Sequence, residues 1–383
     1  MHERKDVNLQ ERRQVVLGLT GLLGVIVTGC SFGNTNVPTL QGATPTTLQA
    51  AITPTPTIAP GTTLYVYRKH TRQINDIAWS PDSKYIISAS NGAFSQVSQG
   101  TAAQVYIWNA RTGEANAQFA SNQYSYTPAP LVWSPDGKMI ALCEFPDQAG
   151  NNEIGFLDAQ TGKFLGTYQT RNFFNQLAWS PDSSRLAVAG GNDVEICDAS
   201  TRKKVLSYPV SLPPGTSQPS KVVAWSPDGT TIASAAAKEG HSLQFWNAST
   251  GEPLHYFIGS KPDVAAWSPD GKMIAIGNTN KAPQILDVNT GKVLLTCQTN
   301  LVSFGTLSFL AAYPHSISWS PDSKYIAVAN NQNQVQIWGI AQQNLVYTYT
   351  KHTASISAVA WSPDGSSIAS ASYDKTVHVW QAS

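Results

Sequence analysis

His352 and Asp374 could pass for an acid–base pair, an imidazole and a carboxylate able to exchange a proton near neutral pH. A second candidate is the Asp of a recurring Ser-Pro-Asp, found at Asp82, Asp136, Asp182, Asp228, Asp270, Asp322 and Asp364, which suggests a ring of carboxylates. A third is Cys30, whose thiol follows Val27-Thr28-Gly29; a thioether to diacylglycerol needs such a thiol, with small residues before it for the peptidase. The recurring Asp has a plainer role, because every copy sits in the same turn sequence and its local job is turn formation. The seven histidines include none at metal-ligand spacing, and there is no His-Glu-x-x-His, Gly-x-Ser-x-Gly, Walker loop or dinucleotide fingerprint. Cys143, Cys197 and Cys297 are far apart, at strand-like positions, and read as small buried hydrophobes rather than a disulfide or zinc pattern. The expectation is no catalytic residue, no metal and no cofactor.

The elements that position these residues repeat. Trp-Ser-Pro-Asp begins at Trp79, Trp133, Trp179, Trp225, Trp267, Trp319 and Trp361, at spacings of 54, 46, 46, 42, 52 and 42 residues. A period of this size means a repeat architecture. In the last copy Ser357–Trp361 reads as a strand, Ser362-Pro363-Asp364-Gly365 as a turn, Ser366–Ser372 as a second strand and Thr376–Trp380 as a third. Earlier copies continue through Trp108-Asn109 to Thr112-Gly113-Glu114, or through Leu286-Asp287 to Lys292, into a fourth strand. A four-stranded meander of this size cannot bury a core alone, and stacking copies radially solves that.

These turns and the Trp-Asn or Leu-Asp pairs resemble the WD-repeat family of β-propellers over residues 62–383. The resemblance implies an all-β fold: a seven-bladed β-propeller of four-stranded antiparallel blades. It also implies a structural hydrogen-bond chain in the last repeat through His352, Ser370 or Ser372, Asp374 and Trp380, which makes the His–Asp pair a brace. The first repeat keeps His70 and Trp108 without the Asp, and the third has Cys197 in place of Trp, so the blades are expected to be held mostly by packing. The chain stops at Ser383 after a third strand, while Leu64–Thr71 echoes Leu345–Thr353. The N-terminal segment is therefore expected to supply the missing strand and close the ring.

Residues 1–29 read as a signal peptide: Arg4, Lys5, Arg12 and Arg13 precede an apolar run from Val15 to Thr28, shorter than the ~20 residues of a spanning helix. The segment ending at Cys30 looks like a bacterial lipoprotein box, with Cys30 lipidated. Arg12 and Arg13 partly resemble a twin-arginine export signal, although Glu11 and Val15 stand where that signal has Ser or Thr and Phe. Residues 30–61, rich in Thr and Pro, read as a disordered tether. Two acyl chains on one cysteine suffice for stable anchoring, so the membrane is expected to be met through the lipid alone.

A net charge of +1 with 13% charged residues offers no basic surface for nucleic acid. Loop lengths vary only in the second-to-third and fourth-to-first connections, which emerge at one end of a meander. The insertions 91–103, 121–130, 144–152, 211–220 and 299–314 therefore share one face, a common place for binding. Tyr124, Tyr126, Phe304, Phe309 and Tyr313 are its candidate partner-binding residues. The expected protein is a monomeric, non-catalytic platform for a protein or peptide, anchored to the cell membrane outside the cytoplasm. The alternatives are a TolB-like envelope propeller, or a hydrolase or lyase acting in the central channel.

Overall fold

The computed structural model describes residues 59–90, 103–120, 130–144, 152–170, 176–190, 193–209, 222–235, 241–259, 261–278, 281–298, 316–330 and 332–382. All belong to one compact unit, Pro56–Ser383. Among them every regular element is a strand, and none is a helix long and apolar enough to cross a membrane. The strands form seven four-stranded antiparallel sheets, the blades of a β-propeller. Blade 1 runs Ile74–Trp79, Tyr85–Ser90, Gln104–Asn109 and Ala115–Ala120, from the centre outward. The other inner strands are Leu131–Trp133, Gln176–Trp179, Val223–Trp225, Val264–Trp267, Ser316–Trp319 and Ile356–Trp361, each lying against the inner strands on either side.

The Ser-Pro-Asp sequence explains the tight turn after each inner strand. In blade 1 the buried Ser80 hydroxyl donates to Asp82 Oδ1 (2.6 Å) and accepts from the Tyr85 amide (2.9 Å), while Asp82 Oδ1 accepts from the Lys84 amide (3.1 Å). For Asp82, Asp136, Asp322 and Asp364, burial opposes ionisation, but these hydrogen bonds outweigh it and hold the carboxyls below their usual range. The next residue adopts a left-handed backbone, as at Gly365 (φ 76°), and in three turns that residue is Ser83, Ser183 or Ser323 (φ 60°, 62° and 59°). A serine there is less favoured than glycine. Its hydroxyl has a use: it accepts the Asp amide of the preceding turn, Asp364 onto Ser83 (3.0 Å), Asp136 onto Ser183 (3.0 Å) and Asp270 onto Ser323 (3.1 Å).

Side-chain bonds of this kind join every pair of neighbouring blades. Trp79, Trp179, Trp267 and Trp319 donate Nε1–H to the preceding inner strand, at Ala360, Val132, Ala224 and Ala266 carbonyls. Trp133, Trp225 and Trp361 instead fold onto the glycine carbonyl of their own turns. At those three interfaces the preceding inner strand supplies an acceptor: Asp76 for the Leu131 amide (2.9 Å), Gln176 for Val223 (3.2 Å) and Ser318 for Trp361 (2.9 Å). These bonds add to apolar packing, since buried clusters also span each pair of neighbouring blades. Inner strands have an unpaired edge, and its polar groups find side-chain partners on the next blade.

Farther out, aromatic rings lock the blades. Outer-strand Tyr67, Tyr208 and Tyr349 stack on Trp108, Trp246 and Trp380 of the following blade, with centroids 4.3, 5.5 and 4.5 Å apart. Such pairs add about 0.5–1.5 kcal/mol beyond area burial.

Blade 7 has the order Thr63–Tyr67, Val377–Gln381, Ser367–Ser372, Ile356–Trp361, so the N-terminal strand closes the ring. The closure reproduces an ordinary turn in two pieces. Gly113 N–H donates to Asn109 O and Asn109 N–H to Glu114 O; Gly61 N–H likewise donates to Gln381 O and Gln381 N–H to Thr62 O. Gly61 and Gly113 each lie against a tyrosine ring of the preceding blade, Tyr347 and Tyr65, where a Cβ would overlap the ring. Deleting residues 62–69 removes the fully buried Tyr67 and bares the Val377–Gln381 edge. We expect a lower melting temperature and aggregates on size exclusion; an unchanged melting temperature with monodisperse elution would refute this account of closure.

Candidate functional site

The polar residues singled out in blade 7 sit together. His352, just before the inner strand, donates Nδ1–H to Asp374 Oδ2 (2.8 Å), in the turn between the second and third strands. Its Nε2 pairs with Ser370 Oγ (2.9 Å), and Ser370 Oγ accepts Trp380 Nε1–H (3.2 Å). The carboxylate thus fixes the imidazole tautomer, which orders the hydroxyl and then the indole. Asp374 also accepts the Thr353 and Thr376 amides. Ser372, the other serine considered, donates to the Ala354 and Ser355 carbonyls. Burial opposes ionisation of Asp374, but hydrogen bonds from His352, Thr376 and Thr353 win and place its carboxyl well below the usual range.

Sequence reasoning missed His378, two residues before Trp380. Its ring stacks on His352, with centroids 3.9 Å apart and planes 22° apart. Its Nδ1 pairs with the Tyr349 hydroxyl (2.8 Å), which pairs with Thr63 Oγ1 (2.9 Å) of the closing strand. His378 is therefore the polar link between blade 6, blade 7 and the N-terminal strand. The third-strand alternation placed it in a strand, but only tertiary packing brings the two imidazoles face to face.

His352, Asp374 and His378 are close enough to be considered as metal ligands, with one atom from each lying within 4.8 Å of the others. The ring geometry argues for a brace instead. Stacked imidazoles hold their in-plane lone pairs in nearly parallel planes, whereas a shared ion needs them to converge. Both nitrogens of His352 already hold partners.

Blade 1 shows the same brace without its carboxylate. His70 Nε2 pairs with Ser88 Oγ (2.7 Å), which accepts Trp108 Nε1–H (3.0 Å). Gln104 takes over from Asp374 in accepting the amide that follows the histidine, here Thr71 (2.9 Å). Among the described residues His70 Nδ1 is buried without a partner.

Asp76 is the one ionisable side chain on the seven inner strands. Burial pushes its carboxyl up to about 6, against the Leu131 and Ile77 amides that favour the charged form. Its two oxygens accept the Ile77 and Leu131 amides, at 2.8 and 2.9 Å. Cys143, Cys197 and Cys297 are buried free thiols. Cys30, Arg12, Arg13, Tyr124, Tyr126, Phe304, Phe309 and Tyr313 lie outside the described residues.

Comparison with known proteins bears on this fold. Residues 61–94, 310–339 and 343–381 match the family described as WD domain, G-beta repeat. Relatives include cell division cycle 20.1, cofactor of APC complex, of Arabidopsis thaliana, 27% identical over 47% of this chain and 37% of its own length. WD repeat-containing protein 1 of Xenopus tropicalis is 26% identical over 50% of this chain and 29% of its own. Protein HIR1 of Kluyveromyces lactis is 25% identical over 48% of this chain and 24% of its own. The matched region thus spans well under half of each relative. The three matched segments contain the closing strand and all of blade 7, the part with the complete brace. Together with the seven blades, these matches support a WD-repeat propeller.

The two perturbed histidines give a pH signature. Burial lowers His70 to about 4 and, with the neighbouring His352, His378 to about 3. Both stay neutral when folded, while the unfolded chain takes up protons below about 6.5. They therefore stabilise the fold fully above pH 6.5 and progressively less below it, down to about 4 for His70 and about 3 for His378; Asp76, with its raised value, acts in the opposite sense between about 6 and 4. Gln occupies the His378 position in three blades, at Gln244, Gln284 and Gln336. His378→Gln should flatten the acid limb of urea stability between pH 6.5 and 4 by about one proton. An unchanged slope would remove His378 from the titration.

Proposed function

We propose that this chain is a non-catalytic interaction platform: a WD-repeat propeller held outside the cytoplasm by a lipidated Cys30 and a tether, binding a protein or peptide on its insertion-bearing face. The observation that carries the reading is the contrast between the two faces. One is tiled by seven Ser-Pro-Asp turns of equal length whose polar groups are spent on one another and on neighbouring turns. The other receives every connection that varies in length, anchored by His70, His352 and Asp374 at its base. A rigid ring with variable loops on one side suits recognition. The WD-repeat relatives support a scaffold role, since one of them is itself named a cofactor of a complex. A hydrolase or lyase working in the channel would need converging ionisable groups, and the inner strands offer Asp76 alone.

The signal-like segment 1–29, the cysteine at position 30 and the Thr/Pro-rich stretch before residue 62 support export and anchoring. Intact mass and membrane partition of the protein made in its own host test this part. We expect a mature chain that begins at diacylated Cys30, in the membrane fraction; an unmodified cytosolic chain would overturn export and leave the platform reading standing. The platform is tested by cross-linking the anchored protein in cells and comparing it with a Phe304→Ala, Phe309→Ala variant. A discrete cross-linked adduct lost in the variant, at unchanged melting temperature, is the expected result, and an adduct that persists unaltered would refute the assignment of these phenylalanines.

A further inference from the structure

A cleft of about 740 Å³ opens between the outer strand of blade 2 and the outer half of blade 3, and the repeat's own departures create it. Where Trp108, Trp246, Trp338 and Trp380 stand next to last in the third strands of blades 1, 4, 6 and 7, blade 3 has Cys197. The indole that stacks on the preceding tyrosine in blades 1, 4 and 7 is missing, and Tyr168 instead donates its hydroxyl to Glu195 (2.7 Å). Glu195 is buried, and its other oxygen accepts Lys204 Nζ (3.3 Å). This carboxylate is already neutralised within the wall.

Arg202 is not. It sits in the turn after the third strand at φ 56°, where blades 1, 2, 4 and 5 have Gly113, Gly162, Gly251 and Gly291. Gln343 shares this backbone in blade 6, and its amide donates to Leu294 O (3.1 Å). The Arg202 guanidinium lies over the Phe156 ring at 5.9 Å and lines the cleft beside Lys203. Among the described residues it has no hydrogen-bonding or ionic partner, and its Nε is buried. Arg202 is partly buried with its Nε shielded, and one aromatic face compensates a permanent charge there less well than a counter-charge would. The terminal N–H groups, which are not buried with Nε, can donate to the oxygens of one anion.

We propose that the cleft between blades 2 and 3 is an oxyanion-binding site, with Arg202 receiving a carboxylate or phosphate group and Lys203 adding charge at its mouth. Glu195 and Asp193 set its limits. Glu195, held by Tyr168 and Lys204, forms the floor, and Asp193, approached among the described residues only by Ser207 Oγ (3.4 Å), stands on the same wall and repels a second negative group. The site therefore suits one small anionic head rather than a polyanion. This inference is separate from the partner face and stands or falls without it.

The test is NMR of the arginine Nε–H signals during titration with sodium phosphate, and separately with sodium acetate, against sodium chloride at matched ionic strength. Arg202→Gly assigns the signal and suits the fold, because glycine occupies this left-handed position in four other blades. We expect the Arg202 signal to move and saturate with at least one of the two anions, and calorimetric affinity for that anion to fall by at least about tenfold in Arg202→Gly. Saturation with acetate only assigns a carboxylate, with phosphate only a phosphate, and with both the shared chemistry. A shift that fails to saturate with either anion, or a folded Arg202→Gly that binds as before, would overturn the proposal.

Discussion

The ring rests on one recurring problem: each innermost strand has a free edge. Its amides and carbonyls face the centre, where no further strand can pair with them. The chain answers with side chains. Three turn serines accept amides from the preceding turn, four indoles reach preceding carbonyls, and Asp76, Gln176 and Ser318 accept amides where the indole turns back on itself. Each such bond contributes only about 1 kcal/mol net, yet leaving a buried group unpaired is worse by about 1–3 kcal/mol. The avoided penalty, repeated at every interface, is what spaces and orients the blades.

The outer layer depends on that spacing. Once inner strands are fixed, the outer tyrosine of one blade lands on the third-strand indole of the next, and a turn glycine makes room for a neighbouring ring. Blade 3 breaks both habits at once, with Cys197 for the indole and Arg202 for the glycine. Burial raises the Cys197 thiol to about 12, so it stays a neutral small apolar group and cannot replace the lost ring. A charged cleft is the result. Blade 7 departs in the other direction: His378 adds to the brace and ties the closing strand into a single polar network through Tyr349 and Thr63.

The two ends of the blades differ in how their polar groups are used. Ser-Pro-Asp turns spend theirs on one another and on neighbouring turns. The braces at His70 and His352 lie at the opposite end, under the connections that vary. A buried polar chain there fixes the strand ends from which those connections leave the ring.

Sequence alone determined the repeat, its strand–turn–strand rhythm, the blade number and the strand exchange that closes the ring, because these follow from local patterns: alternation, a proline-initiated turn and one echo between the chain's two ends. It also indicated His352, Asp374 and Trp380, whose types and order are distinctive. It did not reveal His378 stacked on His352, the alternation of indoles between neighbouring and own-turn carbonyls, or the unpaired guanidinium of Arg202. Those depend on which side chain of one blade meets which backbone group of the next. Such meetings join residues some forty or more positions apart, or on opposite sides of the ring closure, as with Asp364 and Ser83. Local sequence sets what each residue can donate or accept; only the closed ring decides which partner is within reach.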